Sequence, residues 1–237
     1  MTTCQARPLL IGTISDNPPF SSYASQQNQF YGFEIDLMLE ICNRQKIKCQ
    51  FIPTIASRMV NDLTSGKIDL VLASIIIPTT IVDEPVIFSK PYLISYAQFI
   101  TNKQSPINQL NEIRNKKVGV RLGTLFHGTM FKNFILEMYN NQVKPVLYLS
   151  MSDLLSALQN QEVDAVCSNA VPIRYWYTNN SGLFKLVGGK IPIGNGYAVM
   201  AKIGEENLIA QINQSLLQIE QDGTYVAIYS RYFGITS

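Results

Sequence analysis

The clearest chemical motif in this sequence consists of Arg121, Gly123 and Thr124. They end the segment KKVGVRLGT (116–124), which predicts a strand and a turn, and a predicted helix follows. Backbone N–H groups and the positive end of the dipole at a helix start can hold an anion, and the hydroxyl of Thr124 adds a donor. Arg121 can add a guanidinium, although a solvated surface position is the alternative. These residues predict a site for an anionic group.

Cysteine and histidine offer little further chemistry. The four cysteines, Cys4, Cys42, Cys49 and Cys167, form no C-x-x-C pair, and the sole histidine, His127, has no cysteine nearby. The sequence therefore predicts no metal site and no cofactor. Cys42 and Cys49 lie where a predicted helix ends and a strand begins, so a disulfide is possible, and two buried thiols are equally compatible with the spacing.

Composition excludes several classes of protein. Of the 237 residues 46% are apolar and 15% are charged, which suits one large domain or two lobes and shows no signature of disorder. The net charge is +2 and the basic residues are scattered, so we expect no nucleic-acid partner. No apolar run is long enough for a transmembrane helix, and no apolar leader precedes Cys4. The chain is then either cytoplasmic or a mature fragment whose targeting segment was removed.

The order of predicted elements indicates an α/β protein with two lobes. Strands and helices alternate up to a buried strand at 68–77 and again from 116 to 188, the pattern of mostly parallel, mixed sheets. Residues 15–32 read as a loop rich in Pro and Ser. Extended stretches at 87–101 and 191–202 connect the units, and two amphipathic helices close the chain. We expect lobe 1 at 5–97 and 197–237, lobe 2 at 98–196, and a hinge near 96–101 and 192–198, with ligand between the lobes.

Seven short motifs occur in one order over nearly the whole chain. They are NPPF (17–20), GFEIDL (32–37), SGKID (65–69), FSKPY (88–92), KVGV with GT (117–124), VDAV (163–166) and DGTY with YFG (222–234). Together they resemble the amino-acid-type (family 3) solute-binding proteins of bacterial ABC transporters. Each motif alone is weak, but their common order is specific.

The resemblance implies a two-lobed type II periplasmic-binding-protein fold with a two-strand hinge and no enzymatic activity. It implies capture of a small polar solute, an amino acid or a derivative, for the membrane permease of an ABC transporter. Basic-amino-acid binders of this family carry a disulfide at the spacing of Cys42 and Cys49, so the resemblance favours that bridge and an extracytoplasmic location. We expect a periplasmic monomer without its signal peptide, and Cys4 is a candidate for lipid attachment.

Two charged anchors of the family are missing. The position of the arginine that holds the ligand carboxylate is Val82, and that of the acidic residue that holds the ammonium is Asn169. Asn17 and Ala56 occupy the positions where the family usually has aromatic residues in the walls of the cleft. Ile75 and Ile77 occupy positions that are usually polar. Either other residues bind the carboxylate and the ammonium of the ligand, or the ligand is different from the amino acids that the family usually binds. The candidate ligand-binding residues are Phe20, Arg58, Ser74, Arg121, Thr124 and Asn169.

Two other functions remain open on this fold. Cyclohexadienyl dehydratases are relatives that use the same cleft for acid–base chemistry, which needs a carboxylate and a carboxylate-binding arginine there. The residues at Val82 and Asn169 disfavour that function. A ligand-sensing domain of a membrane signalling protein is the second alternative, and the chain ends soon after YFG (232–234), as free binding proteins do.

Overall fold

The computed structural model describes residues 7–123, 125 and 128–234. One mixed sheet consists of β1 (Leu9–Thr13), β5 (Cys49–Pro53), β6 (Leu70–Ile76), β7 (Val86–Phe88) and β13 (Tyr197–Lys202), in the order β5-β1-β6-β13-β7. Its strand β1 pairs in parallel with β5 and β6, while β13 pairs antiparallel with β6 and β7. β6 is buried along its whole length, as its β-branched sequence predicts.

A second five-stranded sheet repeats this plan. It consists of β8 (Tyr96–Asn102), β9 (Lys117–Arg121), β10 (Lys144–Tyr148), β11 (Ala165–Asn169) and β12 (Phe184–Pro192), in the order β10-β9-β11-β8-β12. Here β9 is parallel to β10 and β11, and β8 is antiparallel to β11 and β12. Each sheet therefore has two parallel and two antiparallel pairings.

Helices cover both sheets. With the first sheet are α1 (Phe33–Gln45), α2 (Met59–Thr64), α6 (Glu206–Gln221) and α7 (Thr224–Phe233); with the second are α3 (Met130–Met138), α4 (Met151–Gln159) and α5 (Ala170–Asn179). We call the first sheet with its helices lobe 1 and the second sheet with its helices lobe 2. In the described part of the chain, no helix combines the length and apolar character needed to span a bilayer.

The chain passes between the sheets twice. It crosses between β7 and β8 and returns between β12 and β13, and the two crossings are hydrogen-bonded to each other. Tyr92 N–H donates to the carbonyl of Tyr197 at 2.8 Å, and Tyr197 N–H donates to the carbonyl of Leu93 at 2.8 Å. Two antiparallel crossings are the arrangement that lets lobes rotate as rigid bodies. The exact hinge and lobe boundaries stay a prediction.

The segment at 15–32, predicted as a loop, instead forms a small antiparallel sheet. Its strands are β2 (Asp16–Asn17), β3 (Ser21–Ala24) and β4 (Gln29–Tyr31). Strands of two to four residues leave no readable alternation, so the turn-forming residues dominated the sequence pattern. The rings of Tyr23 and Phe30, whose centroids are 4.9 Å apart, pack across β3 and β4.

The last helix, α7, packs against α1 of lobe 1. The ring of Phe33 at the start of α1 contacts the rings of Tyr225, Tyr229 and Phe233 on α7 with centroids 5.1–6.2 Å apart. Asp36 accepts a hydrogen bond from Tyr232 Oη at 2.7 Å. The DGTY and YFG motifs are therefore parts of a structural junction that closes lobe 1.

A disulfide joins Cys42 and Cys49, as the resemblance favoured. Cys42 lies in the last turn of α1 and Cys49 begins β5, and Lys46 between them adopts a left-handed conformation that reverses the chain. The two Cα atoms are 6.2 Å apart, within the range that a disulfide requires.

Removing this bridge should destabilise the protein without affecting its site. With seven residues of separation, the loop-closure model assigns the bridge about 2–3 kcal/mol. We expect replacement of Cys42 and Cys49 by serine to lower the midpoint of thermal unfolding by roughly 5–10 °C. Reductant should lower the wild-type midpoint to that of the variant and leave the variant unchanged. Equal midpoints for oxidised wild type and variant would contradict a stabilising bridge.

Candidate ligand-binding site

A cavity lies between the two lobes at the carboxyl ends of their parallel strands. Lobe 1 lines it with Ile14, Ala56, Ala73, Ser74, Ile75 and Ile76, and lobe 2 with Arg121, Gly123, Leu125, Met130, Phe131, Ser168 and Asn169. This is where ligands bind in open α/β sheets. Its volume is about 50 Å³, whereas pockets for small molecules are roughly 300–1,000 Å³. The cavity is therefore smaller than a typical small-molecule pocket at this separation of the lobes.

Ser74 is held in the cavity wall by an unusual backbone conformation. It lies near the end of β6 with φ of 48°, a left-handed value that a serine rarely adopts. Its N–H donates to Glu34 Oε1 at 2.6 Å, and its Oγ accepts a hydrogen bond from Asn17 Nδ2 at 2.8 Å. Strain of this kind persists where the surroundings fix it and is concentrated at functional sites. The hydroxyl of Ser74 is thereby directed by two buried neighbours.

Glu34 is a buried carboxyl group directly behind Ser74. Its Oε1 accepts hydrogen bonds from Ser74 N–H and from Tyr92 Oη, the latter at 2.5 Å. Its Oε2 is buried and has no hydrogen-bond partner among the described residues. Burial raises the pKa of Glu34 to about 7, and the two hydrogen bonds and the charge of Arg121 oppose that rise.

Arg121 brings a guanidinium into the cavity from lobe 2. It is the last residue of β9, where it pairs in register with Tyr148. Nη1 donates to Asn17 Oδ1 at 3.5 Å, a long hydrogen bond that reaches across to lobe 1. None of the ion pairs formed by the described residues includes Arg121. Burial lowers the pKa of Arg121, and the negative charges of Asp16 and Glu34 oppose that effect.

Asn169 offers an unused acceptor on the same wall. It ends β11 and precedes α5, and only 4% of its surface is exposed. Its Oδ1 is buried and accepts no hydrogen bond from the part of the chain that the structure describes. A buried amide oxygen without a donor is costly, so this atom is suited to a donor on a bound solute.

The structure places Ser74, Arg121 and Asn169 in the lining of one cavity, and their role as ligand contacts stays a prediction. Thr124 and His127 lie outside the described residues. Phe20 was expected to form a wall of the site, but it is completely buried in the core of lobe 1. Its ring centroid is 5.3 Å from that of Tyr197 and 6.2 Å from that of Phe233, so it packs against the start of β13 and against α7.

Arg58 does not line the cavity. It ends a short 3₁₀-helix, Ala56–Arg58, in which Ala56 faces the cavity and Arg58 is exposed. Because exposed substitutions usually change free energies by about 0.5 kcal/mol or less, we expect Arg58→Gln to leave ligand affinity within about twofold of wild type. Titration calorimetry checks this. A loss of tenfold or more would show that Arg58 turns into the cleft when the ligand binds.

Val82, at the expected position of the carboxylate arginine, packs against the apolar cluster around α2. It therefore leaves no cation on lobe 1 at that point of the chain. Among the described residues that line the cavity, Arg121 is the one cation, and it comes from the opposite lobe.

Comparison with known proteins identifies the family. The model of the bacterial extracellular solute-binding proteins, family 3, matches residues 9–235. The chain belongs to this family. It is 27% identical over 231 residues to the lysine/arginine/ornithine-binding periplasmic protein of Escherichia coli, covering 94% of this chain and 86% of that protein.

Solved structures agree with this membership. An arginine 3rd transport system periplasmic binding protein from Legionella pneumophila superposes with a TM-score of 0.87 at 38% identity, covering 96% of this chain and 100% of that one. An ancestral arginine-binding protein bound to arginine gives a TM-score of 0.82 at 30% identity, covering 97% and 100%. The two-lobed fold and the solute-binding role predicted from the motifs are therefore confirmed.

Two residues at this site were not predicted from the sequence. Asn17 was recognised only as the place of a missing aromatic residue, yet it contacts both Ser74 and Arg121. From the sequence, Glu34 was interpreted as an acidic residue in the first turn of a helix, where a negative charge interacts favourably with the helix dipole. Its position four residues before Met38 and seven before Ile41, on the buried face of α1, was the available signal that the carboxyl group points inward.

Proposed function

We propose that this family 3 protein captures an amino acid or an amino-acid-like solute in the interlobe cavity and delivers it to the permease of an ABC importer. The observation that supports this is the guanidinium of Arg121, half-buried in the cavity without an ion pair among the described residues. Buried charges are normally paired, so a carboxylate of the solute is its natural partner. Ser74 and Asn169 complete the polar contacts. We further propose a periplasmic monomer, with lipid attachment at Cys4 as an option.

The arrangement couples binding to closure. Arg121 and Asn169 belong to lobe 2 and Ser74 belongs to lobe 1, so a solute that contacts all three holds the lobes together. A solute can shift the balance between open and closed states only by its difference in affinity for them. Contacts that require both walls provide that difference. The permease would then recognise the closed form.

The residues that line the cavity support binding of a solute without acid–base catalysis. Acid–base catalysis needs a titratable side chain within hydrogen-bond reach of the substrate. Of the cavity-lining residues that the structure describes, none is Asp, Glu, His, Lys, Cys or Tyr. Glu34 is separated from the cavity by Ser74 and engaged by Tyr92. The similarity to an ancestral amino acid-binding protein, a precursor of cyclohexadienyl dehydratase, is 23% in sequence with a TM-score of 0.80 and concerns the fold alone.

Thermal unfolding against a panel of solutes tests this proposal. The panel contains the twenty amino acids, polyamines, sugars and organic acids. A solute at about 100 times its dissociation constant adds about 2.7 kcal/mol of stability, which raises the midpoint by roughly 5–10 °C for a chain of this size. We expect the largest shifts with amino acids or close derivatives, recovered unchanged after incubation. A shift with sugars or polyamines only, or turnover of the solute, would contradict it.

A further inference from the structure

The described residues that line the cavity carry a positive charge and no negative charge. Arg121 is its cation, and no acidic residue is among the described residues that line it. The sequence between Gly123 and Gly128, TLFH, contains no acidic residue either. A side-chain ammonium or guanidinium of a ligand would therefore lose its hydration in this cavity without meeting a carboxylate, whereas an α-ammonium has the ligand's own carboxylate beside it. A ligand carboxylate, by contrast, meets a guanidinium.

The remaining wall is predominantly apolar. Eight of the described lining residues are apolar, and they come from both lobes, among them Ile14 and Ile75 from lobe 1 and Met130 and Phe131 from lobe 2. An adjoining cavity of about 270 Å³ shares Ile14, Ala56 and Arg121 and extends this surface. It adds Ile55 and Leu149, which are 52% and 65% exposed and come from opposite lobes. Such surfaces gain free energy by covering an apolar group of a ligand.

Asp16 is the acidic residue that lines the adjoining cavity. Its charge acts on Arg121, which lines both cavities. A cationic side chain placed there would have to compete with Arg121 for Asp16 and would lie beside a like charge. Like charges in a partly buried site repel each other strongly. Asp16 therefore balances the protein's own arginine and does not make a site for a second one.

We infer that the ligand is a monocarboxylate with a hydrogen-bond donor beside the carboxylate and a compact apolar body, and that cationic amino acids are disfavoured. The inference rests on the proposed function. The carboxylate pairs with Arg121, the donor (an amine, hydroxyl or amide N–H) binds Asn169 Oδ1, and the apolar body covers the Ile, Leu, Met and Phe side chains. The ligand class thus differs from that in the names of several relatives, which specify arginine.

Calorimetric titration with matched ligands tests this inference. The probes are leucine, isoleucine, methionine and phenylalanine, the hydroxy acid 2-hydroxy-4-methylpentanoate, leucinamide, arginine and lysine. Because a hydrogen bond to a charged group contributes about tenfold or more in affinity, we expect at least one apolar carboxylate to bind ten or more times tighter than arginine, lysine and leucinamide. In Arg121→Gln, the preference for leucine over leucinamide should fall to about twofold.

The possible outcomes separate the inference from the proposed function. Arginine or lysine binding tighter than every apolar carboxylate would overturn the inference and leave an amino-acid-binding protein. Equal binding of leucine and leucinamide to wild type would overturn the role of Arg121. Binding of sugars or polyamines alone would overturn both. Arg114→Gln is the control, because Arg114 is exposed on lobe 2 and contacts Gln142 outside the cavity.

Discussion

Replacing Arg121 by glutamine should weaken binding of the carboxylate solute about 10- to 100-fold, since charge-assisted hydrogen bonds are worth about 1.5–3 kcal/mol. The free energy of unfolding should stay the same or rise. Removing one partner of a buried ion pair normally destabilises a protein, because the other charge is left alone. Arg121 forms no ion pair within the described chain, the charges of Asp16 and Glu34 act on it only from a longer distance, and its hydrogen bond to Asn17 is 3.5 Å long. Loss of affinity without loss of stability is therefore expected.

Arg121→Lys separates charge from geometry. Lysine keeps the positive charge but lacks the planar fork that binds both carboxylate oxygens, so we expect an affinity between those of wild type and Arg121→Gln. Titration calorimetry gives the affinities, and urea unfolding gives the stabilities, with Arg114→Gln as the control in the same lobe. Wild-type affinity in Arg121→Gln would show that the carboxylate binds elsewhere. A stability loss of several kcal/mol would show that Arg121 is structural.

Glu34 should make the protein less stable as pH rises from about 4.5 to about 7. Its pKa is raised from 4.5 to about 7 because burial disfavours the charged form, so the folded state holds a proton that the unfolded chain has released. The free energy of unfolding then falls by about 3 kcal/mol in total across that window. Above pH 7 it no longer changes with the titration of Glu34. Glu34→Gln should remove this decline, so that wild type is favoured at low pH and the variant near neutral pH.

The glutamine variant is conservative at this position. Both hydrogen bonds of Glu34 go to Oε1, which an amide oxygen can replace, while Oε2 has no partner among the described residues. Glu34→Ala, in contrast, leaves Ser74 N–H and Tyr92 Oη without an acceptor, at about 1–3 kcal/mol each. Urea unfolding at pH 5 and pH 7.5 measures all three proteins. Parallel profiles for wild type and Glu34→Gln would contradict a titrating carboxyl group.

Local patterns predicted most of the fold. The alternation of buried strands and amphipathic helices indicated two α/β units, and the extended stretches marked where the chain changes sheet. The spacing of Cys42 and Cys49 across a helix end allowed the bridge, and the family resemblance favoured it. The small sheet at 15–32 could not be predicted, because its strands are too short for a periodic signal and depend on cross-strand ring packing.

The site was predicted only in part because its contacts are distant in sequence. Arg58 and Arg121 were equal candidates in the sequence, and only the folded chain shows one exposed and the other at the carboxyl end of β9. The position of Phe20 depends on Tyr197 and Phe233, which follow it by 177 and 213 residues (197 − 20 and 233 − 20). The burial of Glu34 likewise depends on Tyr92, 58 residues further along the chain. No local propensity carries such information.

A crystal structure with the tightest-binding carboxylate most directly tests the claim that Arg121 anchors the solute between the lobes. We predict a carboxylate with oxygen atoms about 2.7–2.9 Å from the guanidinium nitrogens, the distance of a charge-assisted pair. The donor beside it should point to Asn169 Oδ1. A carboxylate held by lobe 1 alone, with Arg121 still facing Asn17, would contradict the account.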